Sequence, residues 1–279
     1  MMAKQDPEIE PFAKFIQALD PWLDQVVVIG GWAHRLYRLD SRARKLEYLP
    51  LTTLDGDVAV PTKLKPEEST VRNRLLEAGF KEEFIGEDQP PATHYHYGED
   101  GAFYVEFLAP LVGSEYDRSG RRKATKEVGG VSSQLLRYIE ILMISPWKLG
   151  LGEENGYPLS PKRTIQIANP TSFLAQKILI HRERDYKDRA KDLLYVHDTI
   201  ELFSEHLGEL RAIFTKDIQP TLHSRRTAEL TGAADGLFGR VDDTIREAVL
   251  MTAGRRLDAT ALAETSRAGL REIFREAQA

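Results

Sequence analysis

Two aspartates, Asp55 and Asp57, stand two positions apart in the segment TLDGDVAV, residues 53–60. Side chains alternate between the two faces of a strand, so both carboxylates are expected to point the same way. Two like charges so close together repel each other unless a cation lies between them. Oxygen ligands suit Mg²⁺ or Mn²⁺, and Mg²⁺ commonly binds one or two carboxylates together with substrate phosphates. The segment therefore predicts a divalent-metal site for phosphate chemistry.

The pair Gly30-Gly31 follows the apolar run VVVI, residues 26–29, and precedes a predicted helix. Backbone N–H groups near a helix start can bind a phosphate. Alone, such a pair usually marks only a tight turn. Here the glycine pair lies between two predicted strands, and the second strand carries Asp55 and Asp57. This combination predicts phosphoryl or nucleotidyl transfer.

A third carboxylate, Glu106, lies in AFYVEFL, residues 102–108, where every other residue is apolar or aromatic. A carboxylate in such a strand is unfavourable unless it is paired or bound to a cation. Glu106 is therefore either a further metal ligand or the partner of a nearby arginine in a structural salt bridge.

The glycine pair followed by Thr53-x-Asp55-x-Asp57 resembles the signature of the DNA polymerase β-like nucleotidyltransferase superfamily. In that superfamily a third carboxylate comes from a later strand, and Glu106 matches it. Within the superfamily, the chain looks most similar to bacterial stand-alone nucleotidyltransferase-fold proteins, including the abortive-infection toxin type. The resemblance covers roughly residues 25–200. It departs from the usual pattern in the long gap before Asp55, in Gly56 between the aspartates, and in having Glu rather than Asp as the third carboxylate.

These relatives carry a downstream helix with Lys, Arg and an Arg/Lys-Asp pair, and residues 173–192 resemble it. The resemblance implies that Lys177 and Arg182 contribute to nucleotide binding, with Lys177 neutralising charge on the pyrophosphate. Two other interpretations stay open. A lysine on a partly apolar helix face often extends its ammonium group to water, and a densely charged run such as residues 182–192 is usually a solvated helix face.

The implied mechanism has Asp55 and Asp57 holding two Mg²⁺ or Mn²⁺ ions, with Glu106 completing one metal site. Gly30 and Gly31 would position the phosphates of an NTP. The acceptor is not specified by the sequence, and family precedents include tRNA 3′ ends and protein hydroxyls. Two alternatives remain: a nucleotide- or partner-binding protein without turnover, and a toxin or defence component of a toxin–antitoxin pair.

The composition sets outer limits on the function. The chain has 279 residues, 42% of them hydrophobic and 29% charged, with no cysteine and a net charge of −5. These values predict a soluble, cytoplasmic protein with no membrane span, no signal peptide in residues 1–7 and no disulfides. The acidic balance gives no global signal for nucleic acid, so such a partner would need a local basic patch. The sequence does not indicate an oligomeric state.

Two further segments have an open role. The basic stretch 114–126 is expected to be a mobile loop; its positive residues are Arg118, Arg121, Arg122, Lys123 and Lys126. His94 and His96 share a face if their segment is a strand, and they are expected to be surface histidines on an edge strand rather than a metal pair.

The elements that must position these residues predict an α+β protein. A mixed sheet with flanking helices is expected over residues 1–168, where the resemblance implies a nucleotidyltransferase-like catalytic domain, and an all-helical domain is expected over residues 169–279. Strands are predicted over residues 25–29, 51–60, 80–85, 93–97, 102–108, 134–144 and 164–167. Helices are predicted over residues 11–23 and 32–39, before Gly79, and from Pro170 onward.

Overall fold

The computed structural model describes residues 6–87, 90–98, 102–252 and 255–275, so most of the segment in which no signal peptide is expected lies outside the described residues. The chain divides into two compact units. Unit 1 comprises Met1–Arg35 and Leu51–Ala168, and unit 2 comprises Leu36–Pro50 and Asn169–Ala279. The segment Leu36–Pro50 thus groups with the helices of unit 2, although the sequence places it in the N-terminal part. The functional division at residue 168 stays a prediction.

Nine strands and eleven helices occur in the described part of the chain. The strands are β1 (Val27–Val28), β2 (Asp55–Ala59), β3 (Lys81–Ile85), β4 (Ala92–Tyr97), β5 (Phe103–Pro110), β6 (Thr125–Val128), β7 (Val131–Leu136), β8 (Trp147–Leu151) and β9 (Arg163–Ile167). The helices are α1 (Ile9–Ala18), α2 (Gly30–Leu36), α3 (Val71–Glu77), α4 (Ile139–Leu142), α5 (Pro170–Ile180), α6 (Tyr186–Leu202), α7 (Leu207–Ile213), α8 (Ser224–Thr231), α9 (Ala233–Phe238), α10 (Asp243–Leu250) and α11 (Ala259–Ile273).

The strands of unit 1 form one mixed sheet. Its order is β3-β4-β5-β2-β1-β9-β8, and the β6–β7 hairpin joins it through β5. The first half of β5 pairs antiparallel with β4, and its last residues pair parallel with β7. The predicted α+β class, a mixed sheet with flanking helices followed by a helical C-terminal region, is confirmed.

Helix α1 supplies much of the core of unit 1. Phe12, Phe15 and Ile16 are fully buried, as their helical spacing predicts. The Phe12 ring stacks on Trp32 of α2 with 3.7 Å between ring centroids. This packing fixes the helix that begins at the glycine pair.

The predicted strand over residues 134–144 is wrong beyond Leu136. Strand β7 ends at Leu136, Tyr138 has a left-handed backbone with φ of 66°, and α4 follows. Ile139 and Leu142 of this short helix pack in one buried cluster with apolar residues of β1, β2 and β5. An apolar run of this length does not distinguish a buried helix from a buried strand. The prediction also missed β6 and β8.

Unit 2 is helical, as predicted from Pro170 onward. Helix α5 begins at Asn169, whose side chain accepts a hydrogen bond from the Ser172 backbone N–H at 2.9 Å, with Pro170 in the first helical position. Tyr37, from the segment Leu36–Pro50, packs edge-on against Phe173 and Phe203. None of the helices in the described residues combines the length and apolar character that a bilayer crossing requires.

Candidate active site

The antiparallel pairing of β1 with β2 brings the glycine pair to Asp57. Val28 lies opposite Val58, and the Ile29 backbone N–H donates to the Asp57 carbonyl oxygen at 3.0 Å. Gly30 has a φ of 62°, and a Cβ atom placed on it would lie 2.0 Å from Asp57 Oδ2. Only glycine therefore fits at position 30 while Asp57 keeps its place. The turn and the second aspartate, linked in the sequence only by order, are neighbours in space.

The parallel pairing of β2 with β5 adds the third carboxylate. Asp55 lies opposite Tyr104 and Asp57 lies opposite Glu106. Paired strands are about 4.8 Å apart and side chains alternate faces, so Asp55, Asp57 and Glu106 project from the same face. The intervening residues Gly56 and Val105 are buried on the opposite face. The register thus places on one face of two paired strands the three carboxylates that the sequence singled out.

The electrostatics of this face follow from that register. Burial raises the pKa of Tyr104 to about 12, and the negative charges of Asp55, Glu106 and Asp57 add to the rise. The hydroxyl of Thr53 donates to Asp55 Oδ1. All three carboxylates raise the pKa of the same Tyr104 hydroxyl, so negative charge is concentrated on this face. A bound divalent cation would reduce the repulsion between these charges.

Glu106 is held by a glutamine and a histidine. The sequence had left open a salt bridge to a nearby arginine. Gln134 Nε2 on β7 donates to Glu106 Oε2 at 2.8 Å, and His94 Nε2 on β4 lies 3.2 Å from the same oxygen. No arginine pairs with Glu106 among the described residues. Its side chain keeps 20% of its surface exposed. Glu106 is therefore oriented by its partners and still accessible to a ligand.

Sequence reasoning missed His94 and Gln134 as members of this site. The expectation that His94 and His96 lie on an edge strand is wrong, because β4 pairs with β3 on one side and with β5 on the other. The His94 ring stacks on Tyr104 with 4.8 Å between centroids. The spacing of two between His94 and His96 was the available signal in the sequence. It could not show which strand would lie beside them.

Lys177 is buried in unit 2, where it has a partner of its own. Its Nζ lies 2.7 Å from Asp192 Oδ1, and it also lies over the rings of Phe173 and Tyr195. Asp192 is only 2% exposed, and its other oxygen is 3.5 Å from Arg184 Nε. Arg182 is exposed in a short turn after α5. The roles of Lys177 and Arg182 in nucleotide binding stay predictions.

Replacing Lys177 with alanine is expected to lower the free energy of unfolding by about 3–5 kcal/mol, because it leaves a buried carboxylate without its main partner. Urea denaturation measures this change. Lys65→Ala serves as a control, since the Lys65 ammonium group forms an exposed pair with Asp24, 3.8 Å away, and such pairs contribute at most about 1 kcal/mol.

The Lys177→Ala variant also tests whether Lys177 binds the phosphates of a nucleotide, at a temperature where the variant remains folded. A greater loss of affinity for ATP than for adenosine, shrinking at high salt, would support that role. An unchanged unfolding free energy would contradict the structural account of the pair.

A second group of side chains that could hold a metal lies on α6. Its ligand atoms are within 4.8 Å of one another and belong to His197, Asp198 and Glu201. Asp198, however, accepts two hydrogen bonds from Arg255 at 2.8 Å each, so a cation already lies beside it. The Arg255 guanidinium also lies 3.6 Å above the ring of Tyr48, whose hydroxyl donates to Asp198. These contacts join the segment Leu36–Pro50 to the helices of unit 2, which makes a structural role the better account.

Comparison with known families agrees with this geometry. A family model described as Nucleotidyltransferase matches residues 10–217, well over half of the chain. The chain therefore belongs to this nucleotidyltransferase family and is a transferase, as its sequence predicted. The matched range contains the glycine pair, all three carboxylates and Lys177. No curated protein and no solved structure matches the chain. The relationship to toxin-type proteins stays a prediction.

Proposed function

We propose that this protein uses Mg²⁺, or Mn²⁺ in its place, to transfer an NMP from an NTP to a hydroxyl group of an acceptor at Asp55, Asp57 and Glu106. The observation that carries the proposal is the strand register. It places Asp57 beside Glu106 on one face, and the Asp57 carboxylate abuts the glycine turn.

The residues fit a divalent cation. All three groups are carboxylates, the ligand type that Mg²⁺ and Mn²⁺ prefer. Gly30 lacks the Cβ that would displace the Asp57 carboxylate, so the turn and the carboxylate can face one ligand. When bound, Mg²⁺ would supply Lewis-acid stabilisation of charge on the reacting oxygens.

In the proposed reaction the acceptor hydroxyl oxygen forms a bond to the α-phosphorus of the NTP. The bond from that phosphorus to the oxygen between the α- and β-phosphates breaks, and pyrophosphate leaves. Glu106 would accept the hydroxyl proton, since Gln134 and His94 hold its carboxylate in a fixed orientation. The backbone N–H groups of Gly30 and Gly31 would bind the phosphates, because the first N–H groups of a helix have no partner inside the helix. Lys177 and Arg182 are assigned to nucleotide binding by resemblance alone.

The test is an incubation with each NTP labelled at the α-phosphate, with Mg²⁺ and with either total RNA or a protein extract as acceptor. Label should become attached to one acceptor class and to no other. Parallel reactions with γ-labelled NTP should give no labelled acceptor, because nucleotidyl transfer releases that phosphate in pyrophosphate. Nucleotide binding without label transfer would instead favour the non-catalytic alternative. A role in a toxin–antitoxin pair would require growth inhibition that depends on the same carboxylates.

Replacing Glu106 with glutamine is expected to reduce transfer roughly a hundredfold or more, the usual contribution of a positioned general base. The apoprotein should be equally stable or slightly more stable, because the glutamine oxygen can still accept from Gln134 while one repelling charge is lost. Label-transfer rates and thermal unfolding measure the two effects. Glu127→Gln is the matched control, since Glu127 is exposed on β6. Destabilisation by several kcal/mol would show that the Glu106–His94 pair is mainly structural.

A further inference from the structure

The basic stretch forms a short β-hairpin in unit 1, and its expected mobility stays a prediction. Tyr116 and Arg122 form a bridge between its two arms. The Asp117 backbone N–H donates to the Arg121 carbonyl oxygen at 2.9 Å, and the Lys123 backbone N–H donates to the Glu115 carbonyl oxygen at 2.8 Å. Residues 115–123 are here called the basic hairpin, and their two arms are paired through the backbone.

The two acidic residues of the basic hairpin are occupied within unit 1. Asp117 Oδ1 accepts from the backbone N–H groups of Ser119 and Arg121, at 2.8 and 3.0 Å, and so holds the turn. Glu115 accepts from Arg137 at 2.8 Å. The remaining charged residues of the basic hairpin are positive: Arg118, Arg121, Arg122 and Lys123. None of these four forms a salt bridge in the described part of the chain. Four cations within six positions form a local positive patch on a protein whose net charge is −5.

The basic hairpin leads directly into the strands beside the carboxylates. The backbone N–H of Leu135 donates to the Ala124 carbonyl oxygen at 2.8 Å, and Thr125 lies opposite Gln134. Gln134 in turn donates to Glu106. The hairpin is thus anchored to the strand pair that orients the third carboxylate, within the same unit.

An exposed aromatic ring lies among these cations. Tyr116 keeps 55% of its surface accessible and belongs to the paired part of the hairpin. Unpaired bases stack on aromatic rings, while arginine binds phosphate through two N–H groups. Arginines around an exposed tyrosine match the chemistry of a single-stranded nucleic acid, in which phosphates and free bases alternate.

We propose that the basic hairpin binds single-stranded RNA, with Arg118, Arg121, Arg122 and Lys123 on the phosphates and Tyr116 stacked on a base. The bound strand would be the acceptor whose terminal hydroxyl is modified at the carboxylates. Only this last statement rests on the proposed function; the binding surface itself does not.

The experiment measures binding of a fluorescent, unstructured oligoribonucleotide to the full-length protein by anisotropy over a range of salt concentrations, without NTP or divalent metal. Arg121→Ser/Arg122→Ser should weaken binding about tenfold at low salt, and the slope of log K against log salt should fall by about 0.7 for each lost phosphate contact. The matched control is Arg225→Ser/Arg240→Ser, which removes the same charge from exposed positions of unit 2. It should bind like wild type.

Tyr116 separates stacking from charge. Tyr116→Leu should weaken binding roughly tenfold with an unchanged salt slope, whereas Tyr116→Phe keeps the ring and should retain affinity. A wild-type protein that binds RNA but transfers no label would reject the proposed function and leave the hairpin inference intact. Absence of RNA binding by the wild type, or equal binding by the double-serine variant, would overturn the inference. So would binding to anionic vesicles in preference to RNA.

Discussion

Replacing Asp57 with asparagine is expected to reduce nucleotidyl transfer roughly a hundred- to a thousandfold, because metal stabilisation of transition-state charge contributes several kcal/mol. Asp57 lies opposite Glu106 in the register and against Gly30, so it is the carboxylate shared by the two halves of the candidate site. The amide keeps the shape of the side chain and removes its charge. Affinity for Mn²⁺ should fall with the rate.

The fold should survive this change. Removing one of three carboxylates that face the same way relieves repulsion, so the thermal stability of the apoprotein should be unchanged or slightly higher. Mn²⁺ titration by calorimetry, label transfer and thermal unfolding together test the prediction. Asp24→Asn is the control, since Asp24 belongs to the same unit, its side chain is 71% exposed, and it lies 3.8 Å from the ammonium group of Lys65. An Asp57→Asn protein that binds Mn²⁺ as tightly as wild type would refute the metal assignment.

Replacing Gly30 with alanine is expected to act through the same carboxylate. The new Cβ would lie 2.0 Å from Asp57 Oδ2, so Asp57 must move, and misplacement of a reacting group by about 1 Å can reduce a rate roughly a hundredfold. The left-handed backbone at φ of 62° adds about 1–2 kcal/mol of strain for any residue with a Cβ. Both transfer and stability should therefore fall.

A glycine elsewhere in unit 1 separates these two effects. Gly86 also has a left-handed backbone, with φ of 81°, but a Cβ there would meet none of the described residues within 4 Å. Gly86→Ala should therefore lose stability through strain alone and keep full Mn²⁺ affinity and transfer activity. If Gly30→Ala behaved like Gly86→Ala, the close approach of the turn to Asp57 would have no functional consequence.

The sequence alone determined the class of this protein and the carboxylates of its candidate site. A strand places every second side chain on one face, so the spacing of Asp55 and Asp57 was sufficient to predict a shared face. Glu106 stood out because a carboxylate between apolar residues requires a partner. The amphipathic α1 and the cap at Asn169 were likewise predictable, because both depend on residues close together in sequence.

Only the tertiary structure decided which residues meet across strands. The contact of Gly30 with Asp57 depends on the antiparallel register of β1 and β2, and the contacts of Glu106 with His94 and Gln134 depend on the order β4-β5 and β5-β7. Lys177 shows the same limit, because its partner Asp192 lies fifteen positions away on another helix. Strand order and helix packing arise from the burial of apolar surface over the whole chain, and spacing within one segment does not specify them.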